Sequence, residues 1–228
     1  VFPGLALLIG SAVAGVVTWI AVGVRAGKLE ALAKPATIVL LLAWFAWRLA
    51  EVAVFPGIVL AIALAASLAG DILLLRPRRR LMAGMGAFLI AQLAYTVAFN
   101  ADGLLFTSAS ARIGVSVLAV GVGGFAVLSR KARWHKRKGL KGATVIYTAS
   151  LALMLWSAVM TTQRPEWTLL PSALVVGGAA VFCLSDSVLG WVEFVRPSRK
   201  GLVFVMVTYH LAQWAIALGY SARLGAFP

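Results

Sequence analysis

This chain is short of charge and of the side chains that usually hold metals. Of its 228 residues only seven are acidic, two are histidine and one is cysteine, and charged residues of both signs make up 12%. A soluble domain carries about 25% charged and about 45–50% apolar residues. Here 62% are hydrophobic and the mean hydropathy is +0.96. The shortage of charge excludes a soluble domain and leaves an all-α polytopic membrane protein, a single transmembrane helical domain over residues 1–228. The lone Cys183 excludes an intramolecular disulfide and reads as a small apolar packing residue. One cysteine and two histidines are too few for the usual zinc ligand set, so a zinc-dependent lipid amidase is disfavoured and no metal or cofactor is expected. The last apolar run has no lysine, which removes a Schiff-base retinal protein.

A helix needs about 20 mostly apolar residues to cross a bilayer. Eight stretches qualify: Leu5–Val24, Lys34–Val54, Phe55–Leu75, Leu81–Phe99, Ala109–Leu128, Gly142–Met160, Leu169–Gly190 and Gly201–Tyr220. The first has no basic segment before it and is longer than a leader's apolar core of about 7–15 residues, so it reads as a true span. Spans two and three are separated only by the Glu51–Pro56 region, where Pro56 suits the start of a new helix.

The basic residues sort by loop. Arg25, Lys28 and Lys34 follow span one, and Arg76, Arg78, Arg79 and Arg80 follow span three. Arg130, Lys131, Arg133, Lys136, Arg137, Lys138 and Lys141 follow span five, and Arg196, Arg199 and Lys200 follow span seven. The other side holds only Arg48, Arg112, Arg164 and Arg223. By the positive-inside rule the odd-numbered loops are cytoplasmic and both termini face out. The net charge of +14 therefore reports topology and contact with anionic lipid heads rather than nucleic acid, despite the basic run RKARWHKRKGLK.

Two of the seven acidic residues stand inside apolar runs, Asp71 in AASLAGDILLL and Asp186 in AAVFCLSDSVLGW. An ionisable residue within a span is costly and is by default a functional-site hypothesis. Asp71 lies five residues before Arg76 and Asp186 ten before Arg196. At a rise of about 1.5 Å per residue both fall roughly 8–15 Å from the basic edge, within reach of one chamber open to the cytoplasmic leaflet. A purely structural buried carboxylate wants a cation nearby, and Lys34 is the obvious candidate. The alternative for Lys34, which opens span two beside Pro35, is to snorkel to the interface.

Other polar residues lie at comparable depth. Gln92 and Tyr95 share a face of span four, Tyr147 and Thr148 come early in span six, and Ser185 precedes Asp186. Tyr209, His210 and Gln213 lie on span eight. For each the competing reading is interhelical glue. Trp44, Trp47, Trp167 and Trp191 fit an interfacial belt, and Gly121, Gly123 and Gly124 suit close helix packing. GDILLLRP in span three resembles SDSVLGWVEFVRP in span seven, and Gln92 and Gln213 follow at similar distances. These echoes point to a 4+4 parallel repeat.

Read together, these residues resemble the YhhN/TMEM86 family of eight-span membrane proteins, whose characterised members are lysoplasmalogenases. The resemblance rests on Lys34-Pro35, Gly70-Asp71 with Leu73-Leu74, and Gly84, Phe88 and Tyr95. It continues through Tyr147-Thr148 with Met154, then Gly178-Ala179, Phe182 and Ser185-Asp186 with Leu189, and ends at Tyr209-His210 with Ala212-Gln213. One position departs: the family usually has His where this chain has Gln92, and Gln cannot shuttle a proton.

The resemblance implies hydrolysis of the vinyl-ether bond of a lysoplasmalogen to a fatty aldehyde and a glycerophospho-ethanolamine or -choline. It implies a lysophospholipid partner in a bacterial-type inner membrane. Asp71 and Asp186 are then the catalytic acid and base, in unassigned order, by the two-carboxylate logic of glycoside hydrolysis. Lys34, Gln92, Tyr95, Tyr147, Ser185, Tyr209, His210 and Gln213 are the expected substrate-binding residues. Tyr147 and Tyr209 are candidates to meet the ether oxygen or the water, and Lys34 with nearby arginines to hold the phosphate. The substrate's one chain is expected between helices. A proton-coupled transporter built on the same aspartate pair is the rival reading, and a structural scaffold the third.

Overall fold

The computed structural model describes residues 2–50, 55–75, 77–105, 107–132 and 139–225. Much of the most basic loop (Arg133, Lys136, Arg137 and Lys138) lies outside the described residues, as do Arg76 and most of the Glu51–Pro56 region.

Eight helices account for nearly all of the described chain, and each is long and apolar enough to cross a membrane. They are α1 (Phe2–Val24), α2 (Gly27–Ala50), α3 (Phe55–Leu74), α4 (Pro77–Phe99), α5 (Ser108–Lys131), α6 (Leu140–Met160), α7 (Leu169–Phe194) and α8 (Arg199–Arg223). No strand occurs among the described residues. The ends follow local rules. Thr107 and Ser110 form a reciprocal capping box at the start of α5, and the Ser198 hydroxyl accepts from the Gly201 amide at the start of α8. α4 is broken at Arg80 (φ −125°, ψ 16°), so its regular part starts where the apolar run does.

One boundary differs from expectation. α2 starts at Gly27, so Lys34 and Pro35 lie two turns inside the helix rather than at its opening. A proline inside a membrane helix is tolerated where neighbouring groups compensate for its missing donor.

Helix pairing has the same pattern in both halves. α1 pairs with α2, α3 with α4, α5 with α6 and α7 with α8, while α2–α3 and α6–α7 are further neighbours. The cross-contacts α2–α8 and α6–α4 also correspond, but the α1–α8 and α5–α7 contacts have no counterpart of similar extent in α4–α5 and α1–α3. α7 and α8 approach closely because glycine lets them: a Cβ on Gly178 would stand 3.0 Å from the Ala212 carbonyl oxygen, and one on Gly219 2.8 Å from that of Pro171.

Large side chains such as Leu60, Leu64, Tyr95, Phe99, Phe182 and Ile216 fill the interior. Leu5, Ile9, Ile62, Ile90 and Leu169 point outward, as a bilayer solvent allows. Trp44 belongs to the interior, packed on Phe45 and only 2% exposed, and so is not part of an interfacial belt. Of the expected packing glycines of α5, Gly121 does face α6, but the other two depart from expectation. A Cβ on Gly123 or Gly124 meets nothing within 4 Å, so these residues do not mediate close packing.

The loops sort to two ends. At one, Arg199 Nη1 donates to the Gly23 carbonyl (2.7 Å), joining the start of α8 to the end of α1. At the other, Arg164 donates to Asn100 and the Gly103 carbonyl, and Arg223 pairs with Asp102.

Candidate functional site

Asp71 sits near the end of α3 and is 1% exposed. Lys34 Nζ lies 3.3 Å from its Oδ1, and the Tyr209 hydroxyl donates to its Oδ2 at 2.9 Å. Lys34 therefore does not snorkel: its side chain is 6% exposed and turned inward to the carboxylate. The residue before Asp71 is glycine for a packing reason. A Cβ on Gly70 would stand 2.6 Å from the Phe88 ring, and that ring lies edge-on to Tyr209 with centroids 5.7 Å apart.

Asp186, on α7, is partly exposed to a cavity, and among the described residues it meets only neutral donors. The Tyr147 hydroxyl donates to its Oδ2 at 2.5 Å, and Gln92 Nε2 approaches the same oxygen at 3.4 Å. Oδ1 has no such donor among the described residues. Gln92 is held in turn by the Ser150 hydroxyl, which donates to its Oε1. Ser150 went unnoticed in the sequence, although it stands three residues after Tyr147 and hence on the same helix face.

Both carboxylates line one cavity of about 530 Å³ at the basic end of the bundle. Arg25, Glu30, Lys34, Ser185, Glu193, Arg199 and Tyr209 also line it. Arg25, at the end of α1, has a left-handed backbone (φ 62°). Ser185 contributes mainly to packing, its hydroxyl donating to the Val205 carbonyl of α8 at 3.1 Å. A second cavity of about 460 Å³, lined mostly by apolar side chains of α4 to α7, reaches Asp186 and Tyr147 from the other flank. The single Cys183 lines it, with Sγ directed at the Leu151 carbonyl.

The remaining expected residues stand behind these cavities. Tyr95 and Gln213 are fully buried and hydrogen-bonded to each other, with the phenol donating to Gln213 Oε1. His210 faces α1, where its Nδ1 accepts from Trp19 Nε1 at 3.0 Å and its ring packs beside Trp214. An acceptor Nδ1 puts the proton of a neutral ring on Nε2. Neither Tyr95, His210 nor Gln213 lines either cavity. Among the described residues no three His, Cys, Asp or Glu side chains converge as metal ligands would.

The model of the YhhN family matches residues 29–220. The lysoplasmalogenase TMEM86B of Sus scrofa is 31% identical over 159 residues, 70% of this chain and 62% of that protein. The Homo sapiens protein of the same name is 30% identical over 184 residues, 79% of this chain and 70% of that protein. The chain thus spans less than two thirds of the length of the porcine relative. No solved structure matches it.

Proposed function

The chain belongs to the YhhN family, and from that premise we propose that it hydrolyses the vinyl-ether bond of a lysoplasmalogen. The products are a fatty aldehyde and the glycerophospho-base. The observation that carries this reading is the pair of unlike carboxylates on one cavity, one paired with a cation and the other met only by neutral donors.

Vinyl ethers are hydrolysed by proton transfer to the β-carbon, which leaves an oxocarbenium-like cation that water captures. Two carboxyl groups in different states suit this chemistry. Asp71, beside Lys34 and Tyr209, is the carboxylate. Among the described residues Asp186 has no compensating cation, and an uncompensated charge largely removed from water is costly, so Asp186 is the proton-bearing member. Its Oδ2 accepts from Tyr147 and Gln92, and Oδ1 carries the proton toward the substrate. The bond to carbon forms as the Oδ1–H bond breaks. Water then adds to the cationic carbon and gives its proton to a carboxylate. The hemiacetal collapses to aldehyde and alcohol, so one water is consumed and no redox partner is needed.

In this reading Gln92 holds Asp186 by a hydrogen bond and need not shuttle a proton, which accounts for its standing where the family usually has His. Tyr147 and Tyr209 orient the carboxyl groups. Arg25 and Arg199 at the basic mouth provide charge for a phosphate. The rival reading as a proton-coupled transporter predicts uptake into liposomes that depends on a proton gradient. The direct test is aldehyde release from 1-alkenyl lysophosphatidylethanolamine by purified protein in detergent, where no gradient exists. Wild type is expected to release aldehyde, and folded Asp71→Asn and Asp186→Asn are not. Full activity in either variant removes that aspartate from the mechanism.

A further inference from the structure

The apolar cavity and the polar one adjoin. Leu74, Leu81, Phe88, Asp186, Leu189 and Glu193 line both, so the two meet at Asp186. The polar cavity offers Arg25 and Arg199 to an anionic head, beside Glu30 and Glu193, whereas the other is lined mostly by hydrocarbon. Its volume of about 460 Å³ is within the size range of small-ligand sites. The outer wall is α5, whose only buried side chain is Ser110. Where that wall faces the cavity it presents Gly121 and Gly124 among larger apolar side chains such as Val117, Phe125 and Leu128. A Cβ on Gly121 would make ordinary contacts with Ala152 and Thr148, at 3.7 and 3.8 Å. One on Gly124 would meet nothing within 4 Å, and Gly124 lines the cavity, so a larger side chain there has room to narrow it.

We propose that this cavity is the bed of the substrate's single hydrocarbon chain, and that Gly121 and Gly124 of α5 set the length of chain it accepts. The proposal rests on the reading of the protein as a lysolipid hydrolase, and adds to it the determinant of chain selectivity. It also explains why Asp186 rather than Asp71 faces the reacting carbon: the vinyl ether joins chain to head, and Asp186 stands where the two cavities join.

The neighbouring glycine provides a matched control. Gly123 is equally open but does not line the cavity, because one residue turns a helix by about 100°. Gly124→Phe and Gly123→Phe in the full chain are compared on short-chain and long-chain 1-alkenyl lysophosphatidylethanolamine. Gly124→Phe is expected to lower kcat/KM for the long-chain substrate relative to the short by roughly tenfold or more, and Gly123→Phe to leave that ratio unchanged. Equal ratios in the two variants, shifted or not, overturn the proposal. A second readout does not depend on turnover. Lysophosphatidylethanolamine with a photoactivatable group at the chain end is cross-linked to wild type, and the labelled peptides are mapped. Label concentrated on the stretches 117–128 and 148–155 supports the bed. Such label without any aldehyde release retains the bed and refutes the hydrolase. Label spread evenly over the outward faces of all the helices overturns the bed whatever the activity.

Discussion

Lys34→Met isolates the buried pair on which the charge state of Asp71 depends. Lys34 Nζ and Asp71 Oδ1 are 3.3 Å apart, and their side chains are 6% and 1% exposed. At an effective dielectric of about 20, two unit charges at that distance attract by roughly 5 kcal/mol. Most of that offsets the desolvation of both groups, so the pair itself adds little net stability. Removing only the cation is different, because it leaves a carboxylate buried with Tyr209 as its remaining donor. Such a loss costs about 3–5 kcal/mol. At this chain length each kcal/mol moves Tm by about 2–4 °C, so a fall of roughly 6–20 °C is expected for the purified protein in detergent. The double variant Lys34→Met/Asp71→Asn removes both charges and should recover most of the loss. A single variant within about 2 °C of wild type, or a double variant no better than the single, would refute the reasoning.

Other perturbations separate the remaining contacts. Tyr147→Phe deletes the 2.5 Å bond to Asp186 and should lower kcat roughly tenfold or more with little change in KM, measured by aldehyde release. Gln92→His should stay active because it can still donate to Asp186, whereas Gln92→Leu should lose roughly tenfold. Gly178→Val pushes a side chain against the backbone of α8 and should destabilise the protein by about 1–3 kcal/mol in thermal unfolding without altering kcat. Asp102 lies outside the spans. Burial opposes its charge, but hydrogen bonds and charge from Arg223, with Trp167 and Arg164, outweigh that and hold its carboxyl below the ordinary value of 3.8. A depressed carboxyl stabilises the fold above the ordinary value and loses that contribution as pH falls through its own. Because the pair is partly exposed, the effect is below about 1 kcal/mol. Asp102→Asn should therefore lower Tm slightly near neutral pH and converge with wild type at acid pH.

The number of spans was legible because apolar runs of bilayer length have few other uses, and seven polar or charged breaks separate them. Asp71 and Asp186 stood out for the same reason, since charge in a hydrocarbon run is costly. Lys34 was recognisable as the one cation able to reach them, but its depth was not. Pro35 looked like a helix start, and only packing against α3 shows two turns of helix before it. The shared face of Gln92 and Tyr95 followed from spacing, but the direction of His210 did not, because adjacent residues on α8 diverge toward different neighbours. The cavity beside α5 had no signature at all. A glycine in an apolar helix reads the same whether it touches a neighbouring helix or borders an open space, and Gly178 and Gly124 are those two cases.

The most direct measurement is hydrolysis of 1-alkenyl lysophosphatidylethanolamine in D₂O by wild type, Asp71→Asn and Asp186→Asn, with the aldehyde trapped and analysed for deuterium. Proton transfer to the β-carbon predicts one deuterium on carbon 2 of the aldehyde from wild type and no aldehyde from folded Asp186→Asn. Undiminished release by Asp186→Asn, aldehyde without deuterium, or no aldehyde from the folded wild-type chain would contradict the assignment.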